Sequence, residues 1–385
     1  MLPAGTAPLR VLFRVDASTE IGAGHAMRCL ALAQVMRQAG HVAWLLARQM
    51  PDAIAQRFAG SGVTRLFPVR LSDDDGRIGS ASDARETAAV AESVGAQWVV
   101  ADGYELQLTW QRQLAQLLAQ SRSQSRSSSG SQLARESAAR LALLDDEARA
   151  EAWEADLIVN QNLGASAARY EGRVGEALVL AGASYALLRD ELRRHLPVRR
   201  ETASIATRLL ITMGGSDPGN VTTRCVEALA ALEPRPLAVR VVVGGANPHG
   251  AKILAAARAL PHGMTADVLT SVTDMAPHFL WADLALCAGG STLWELAAFG
   301  LPALAVVLAE NQQGGVSACE MAGSVVSLGC ADGLSHTAVA SQLATLLDDA
   351  ARRQAMTNAG LRLVDGDGAR RVMQAMWQLT YGQAA

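Results

Sequence analysis

The sequence predicts an α/β protein of two lobes, each built on a parallel sheet. Three observations carry that expectation. The chain has 385 residues, too many for one ordinary core and enough for two domains of about 150 to 200 residues each. Short apolar and β-branched runs alternate with helical periods along its length, the pattern of parallel strands joined by crossover helices. Both halves also open alike, with a strand, a glycine-rich turn and a helix.

In the first lobe, residues 11–15 form a short β-branched and aromatic run. Leu32, Val35, Met36 and Ala39 then fall at helical spacing before Gly40 ends the helix. Residues 41–46 and 97–101 read as further strands, the latter followed by an apolar-periodic helix over 106–119. From 120 to 137 the chain turns to SRSQSRSSSGSQLARES, too poor in apolar residues to join a core. It reads as a flexible surface insertion, a solvated loop rather than an arginine-serine binding segment. Strands at 141–144 and 157–159 complete the lobe. A boundary fits near 195–206, where HLPVRRETASIA carries a proline, three successive charges and no strong period. The expected domains are therefore 1–195, holding the catalytic loop, and 207–385, binding nucleotide. In the second, strands are expected at 208–212, 239–243, 267–269, 284–287 and 303–308, with helices at 220–232 and 293–299.

Composition narrows the function. Half of the residues are hydrophobic, 18% are charged and the net charge is -3, so nucleic acid is not an expected partner. Five cysteines without a C-x-x-C pair suit a reducing compartment, here the cytoplasm. No secretory leader and no apolar run of about 20 residues is present, so a soluble chain without stable membrane association is expected. Lys252 is the sole lysine, which removes Schiff-base chemistry and a lysine-containing phosphate loop. His41, His195, His249, His262, His278 and His336 lack partners at metal-ligand spacing; neither a metal nor a cofactor is expected.

The chemistry-bearing residues fall on strand ends. Asp16 to His25 link the first strand to the first helix, at the carboxyl edge where open α/β sheets bind ligands. Gly22 and Gly24 allow a close backbone approach, and a histidine there is placed for proton transfer. A tight turn with His25 capping the helix satisfies the same spacing. Asp102-Gly103-Tyr104 and Asn160-Gln161-Asn162 follow two other strands, so His25, Asp102, Tyr104 and Asn160 can converge on one ligand, although Asp102 and Asn160 also suit ordinary turns and caps. In the second lobe, Gly289-Gly290-Ser291-Thr292 opens a helix and can present N–H groups and hydroxyls to a diphosphate. Glu295 lies near enough to accept from ribose hydroxyls. Gly214-Gly215-Ser216-Asp217 forms a comparable turn, and Asn311-Gln312 offers amides after another strand.

These residues resemble the PseG hydrolases of pseudaminic acid biosynthesis and the related SpsG proteins. The resemblance spans roughly residues 9–334. It rests on Phe13-Arg14-Val15-Asp16, Gly22-Ala23-Gly24-His25-Ala26-Met27-Arg28-Cys29, Asn160-Gln161-Asn162, Tyr185-Ala186-Leu187-Leu188-Arg189, Gly214 to Pro218, Gly289 to Glu295 and Asn311-Gln312. It implies a GT-B-like fold similar to the MurG transferases, two Rossmann-like domains with a cleft between them. It also implies release of UDP from UDP-2,4-diacetamido-2,4,6-trideoxy-β-L-altropyranose by water attack at the anomeric carbon. His25 would be the catalytic histidine, aided by Tyr104 and Asp102. Gly24, Asn160, Arg189, Gly215, Ser216, Gly290, Ser291, Thr292, Glu295, Asn311 and Gln312 would bind the UDP-sugar, and the protein would act as a monomer. Two features depart from the family pattern: the long serine-rich insertion, and Gly103 in place of a bulkier residue. The rival readings are a GT-B glycosyltransferase using a UDP-amino sugar donor and a non-catalytic nucleotide-sugar sensor.

Overall fold

The computed structural model describes residues 7–18, 20–68, 76–128, 139–270 and 272–382. The chain divides into two units, Met1–Asp190 with Asp367–Ala385, and Glu191–Gly366.

The first unit holds a seven-stranded, wholly parallel sheet: β1 (Arg10–Val15), β2 (Val42–Leu46), β3 (Thr64–Leu66), β4 (Trp98–Asp102), β5 (Arg140–Leu144), β6 (Leu157–Asn160) and β7 (Leu178–Ala181). Their spatial order is β3-β2-β1-β4-β5-β6-β7. Helices α1 (Gly24–Gln38), α2 (Asp52–Gly60), α3 (Ala81–Ser93) and α4 (Leu108–Ser128) connect the first five strands. Both faces of the sheet are covered, which explains why its central strands are apolar throughout rather than alternating. Val11, Phe13 and Val15 face a core shared with α1, while Leu12 faces the opposite core with Val99 and Trp110.

Two expectations change here. Residues 120–128 of the serine-rich stretch continue α4, because arginine, glutamine and serine extend an established helix at little cost; residues 129–137 lie outside the described residues. The C-terminal helix Gly368–Tyr381, expected with the second lobe, belongs to the first unit. Its Ala369, Val372 and Met376 enter the α1 core. Its polar end receives hydrogen bonds from Trp98 Nε1 to Thr380 Oγ1 at 2.8 Å and from Gln97 Nε2 to the Tyr381 hydroxyl at 2.9 Å.

Buried charges tie the ends of the central strands together. Arg14, fully buried, grips Asp83 through Nε and Nη2 at 3.0 and 2.9 Å and also binds Asp16. Asp16 Oδ1 accepts from the backbone N–H groups of Arg48 and Gln49, both at 2.7 Å. The segment leading to the Gly22–His25 loop is thus anchored at its root by paired, fully hydrogen-bonded charges.

The second unit holds six parallel strands in the order β10-β9-β8-β11-β12-β13: β8 (Arg208–Thr212), β9 (Leu237–Val243), β10 (Met264–Thr270), β11 (Leu284–Ala288), β12 (Ala303–Val307) and β13 (Val325–Cys330). Leu209, Ile211, Val241, Leu286 and Leu304 are buried in its core. In each unit the strand order reverses once, between β1 and β4 and between β8 and β11. Ligands of open α/β sheets bind outside the strand ends at such a reversal.

Candidate active site

Val15 pairs in register with Asp102, so the turn after β1 and the end of β4 emerge side by side at the first reversal. Gly22 adopts φ +81° and donates its N–H to the Ser18 carbonyl at 2.9 Å, closing the turn; a residue with a Cβ would be strained there. Ala23, with no side-chain cap, precedes α1, and His25 is the helix's second residue. Capping does not explain His25. Its side chain points across to β4, where Nδ1 lies 2.7 Å from Asp102 Oδ1.

Asp102 is 2% exposed and held from several sides. Arg28 Nε donates to Oδ2 at 2.5 Å, Arg28 Nη2 donates to Oδ1 at 2.6 Å, and Cys29 Sγ approaches Oδ2 at 3.7 Å. Burial works against the charged carboxylate, but Arg28 and then His25 outweigh it and lower its pKa. An ionised Asp102 only accepts, so the proton between it and His25 belongs on Nδ1, leaving Nε2 with its lone pair. For His25 itself, burial opposes the charged ring, Asp102 more than compensates, and the pKa is raised. The arrangement is an imidazole oriented by a buried carboxylate, a geometry that can accept a proton at Nε2.

Tyr104 stands over this pair, its ring edge-on to the imidazole with centroids 4.8 Å apart and planes at 88°. It is 52% exposed, and its hydroxyl donates to Asp146 Oδ2 at 3.1 Å. Gly103, at φ +153°, leaves room beside the Glu105 carboxylate, which a Cβ there would meet at 3.3 Å. His25, Arg28, Asp102, Tyr104, Asp146 and Trp153 help to line a pocket of about 530 Å³ within the first unit.

Other predicted residues of this unit lie apart from that pocket. Asn160 is 0% exposed; its Nδ2 donates to the Tyr170 hydroxyl at 2.8 Å and its Oδ1 accepts from the Asn162 N–H at 3.0 Å. Arg189 is half-buried and reaches Met27 Sδ at 3.9 Å. Gly24 has open space where a Cβ would stand. The residue that sequence reasoning missed is Asp146, which binds Arg28, Tyr104 and Asn162. Its signal was present: a carboxylate just past a predicted strand at 141–144, as Asp102 ends another.

In the second unit Cys287 pairs with Thr212, so the turns after β8 and β11 also emerge together. The Gly215 carbonyl accepts from the Ala246 N–H at 3.2 Å, and Gly244 fits only because a Cβ would stand 2.2 Å from that carbonyl oxygen. Asp217, buried, accepts from the N–H groups of Val221 and Thr222 at 2.8 and 2.9 Å, fixing the first turn of the helix Val221–Ala228. After β11, a Cβ on Gly289 would meet Val316 Cγ2 at 2.4 Å. Ser291 is exposed, while Ser216, Gly290, Thr292 and Glu295 are half-buried. Asn311 is exposed in a short 3₁₀ turn, and Gln312 Oε1 accepts from the Leu308 N–H at 3.0 Å. Glycine backbone and small hydroxyls therefore dominate this edge. Among the described residues, no group of three or more His, Cys, Asp or Glu is arranged to hold a metal ion, and no helix is long and apolar enough to cross a membrane.

Residues 209–371 match the family model of the glycosyltransferase family 28 C-terminal domain. The UDP-N-acetylglucosamine--N-acetylmuramyl-(pentapeptide) pyrophosphoryl-undecaprenol N-acetylglucosamine transferase of Xanthomonas axonopodis pv. citri (strain 306) is 33% identical over 201 residues, 47% of this chain and 46% of that protein. The protein of that name from Methylococcus capsulatus is 34% identical over 171 residues, 43% of this chain and 47% of its own length. The chain thus spans just under half the length of these curated relatives. Among solved structures, Acinetobacter baumannii MurG superposes with a TM-score of 0.65 at 17% identity, covering 96% of this chain and all of that one (100%). The S. aureus MnaA–UDP co-structure gives 0.60 at 13% identity, covering 96% of each chain. The fold is GT-B-like and MurG-like, with two Rossmann-like domains.

Proposed function

We propose that this chain is a nucleotide-sugar enzyme that breaks the anomeric C–O bond of a UDP-amino sugar, with His25 taking the proton of the attacking hydroxyl. The observation that carries the reading is the His25–Asp102 pair. Asp102 fixes the ring and leaves Nε2 as the proton acceptor. As the nucleophile's oxygen bonds to the anomeric carbon, its proton passes to Nε2, and the electrons of the breaking C–O bond leave on the UDP β-phosphate oxygen. A diphosphate leaves as an anion and needs charge stabilisation more than a proton. One base then suffices, where an ordinary glycosidase uses two carboxylates. Tyr104 would orient the nucleophile or sugar. In the second unit Gly215, Ser216, Gly290, Ser291, Thr292 and Asn311 would hold the diphosphate and uridine, and Glu295 the ribose hydroxyls. Asn160 and Gln312 are assigned to holding loops, since their side chains already bind within their own units; Arg189 and Gly24, which do not line the first unit's pocket, are given no contact with the sugar.

Two fates of the glycosyl group remain. Transfer to an acceptor hydroxyl has the support of the similar proteins, which are transferases by name and family, and it is the leading reading. Hydrolysis of UDP-2,4-diacetamido-2,4,6-trideoxy-β-L-altropyranose in pseudaminic acid biosynthesis has no such support. It rests on the PseG resemblance, of whose motif His25, Arg28 and Cys29 all meet on Asp102, an arrangement that serves either fate. The test measures UDP release from a panel of UDP-amino sugars, with and without saccharide and lipid-linked acceptors. Release that requires an acceptor supports transfer, acceptor-free release of UDP and reducing sugar supports hydrolysis, and no release from any donor overturns both.

A further inference from the structure

Asp146 follows β5 and gathers three elements around the base. Its Oδ2 accepts from the Tyr104 hydroxyl at 3.1 Å, and its Oδ1 accepts from Arg28 Nη1 and, at 3.4 Å, from Asn162 Nδ2. Asn162 Nδ2 also donates to the Asp146 carbonyl at 2.7 Å, pinning the backbone. The neighbouring Asp145 faces elsewhere, accepting from the Tyr170 hydroxyl at 2.5 Å and the Ala148 N–H at 2.8 Å. Asp146 therefore has two routes to His25. One runs through the phenol whose ring stands edge-on to the imidazole. The other runs through Arg28, which is shared between Asp146 and Asp102.

We propose that Asp146 is a positioning residue for the His25 base, holding Tyr104 in place over the ring and dividing the Arg28 guanidinium with Asp102. The charged and titratable groups facing His25 are Asp102 from β4, Arg28 from its own helix, Tyr104 from the loop after β4 and Asp146 from the loop after β5. Neutralising Asp146 removes one of two negative charges and leaves Arg28 wholly to Asp102. The imidazolium then becomes harder to form, and the His25 pKa falls. Without its hydrogen bond, the Tyr104 ring is released from one orientation.

The proposal rests on reading His25 as the base, and its test includes a readout that does not need turnover. Histidine NMR titrations of substrate-free wild type, Asp146→Asn and Tyr104→Phe, with His25→Gln assigning the resonance, should show a lower His25 pKa in Asp146→Asn. They should also show a changed His25 ring-proton shift in Tyr104→Phe. With a donor that turns over, Asp146→Asn should lower kcat by about 10- to 100-fold, the scale of a misplaced catalytic group. KM should stay within about twofold, because Asp146 would act on the base and not on the nucleotide. Tyr104→Phe should lower kcat in the same direction, and the double variant should lose less than the product of the two, since both cut one contact. An unmoved His25 titration, or kcat losses that multiply in the double variant, overturns the proposal. If Asp146→Asn does not fold, Tyr104→Phe decides, because it cuts the contact at an exposed ring: an unaltered His25 resonance overturns the proposal. Absence of turnover with an altered titration refutes the assigned reaction and leaves the positioning role standing.

Discussion

At the β1/β4 edge of the first unit, side chains converge: His25, Arg28, Asp102 and Asp146 form one hydrogen-bonded cluster of charges, most of it buried. At the β8/β11 edge of the second unit, side chains withdraw. Gly214, Gly215 and Gly290 leave backbone and small hydroxyls at the surface, and the nearest carboxylate of the first turn, Asp217, is turned inward as a cap. The two edges share a strand order and a place for a ligand, so the difference lies in what the loops supply. Fixed charge with an oriented proton acceptor suits bond-breaking, whereas glycine backbone suits holding an anion.

That contrast breaks most readily at His25. His25→Ala should lower the saturated rate by about 10² to 10⁴-fold, the usual worth of a general base, while calorimetry finds UDP binding unchanged; lost UDP affinity would refute the division of labour. Asp102→Asn comes next. Because Asp102 raises the His25 pKa, the acidic limb of the wild-type rate profile should lie above the ordinary histidine value of about 6.5 and move down in the variant. The same substitution tests stability. Asp102 has a lowered folded-state pKa, so its contribution is present above the unfolded carboxylate range of about 4 and fades as pH falls through the folded value. The Tm gap between wild type and Asp102→Asn should therefore narrow on acidification, and a gap that widens toward acid contradicts the pairing. On the other unit, Glu295→Ala should weaken UDP binding by about tenfold, one charge-assisted hydrogen bond, with the saturated rate within about twofold. Equal UDP affinity would remove Glu295 from the ribose. The smallest effect is Gly22→Ala, expected to cost about 1 kcal/mol of stability from the positive φ alone, measured by denaturant titration.

Central strands were legible because they are buried on both faces: the runs behind β8 and β11 are continuous and apolar. Edge strands β3, β7 and β13 are largely exposed or half-buried, and nothing in their periodicity separates them from loops. Asp102 and His25 could be placed on one sheet edge from strand ends alone. Asn160 occupies a similar strand end, yet its amide turns inward to Tyr170, a choice made by a residue ten positions later that no local pattern encodes. The C-terminal helix shows the same limit. Amphipathic spacing marks a helix but does not say which core its apolar stripe will enter.

That helix also sets an order of events during synthesis. The second unit is continuous in the chain and can form its core as soon as its own residues have emerged, as domains generally do. The first unit begins earlier but ends later, because Ala369, Val372 and Met376 complete the core around α1. Until that helix leaves the ribosome, the indole of Trp98 and the apolar flank of α1 wait for partners that have not yet been made. Of the two units, the one that carries His25 therefore begins first and is finished last.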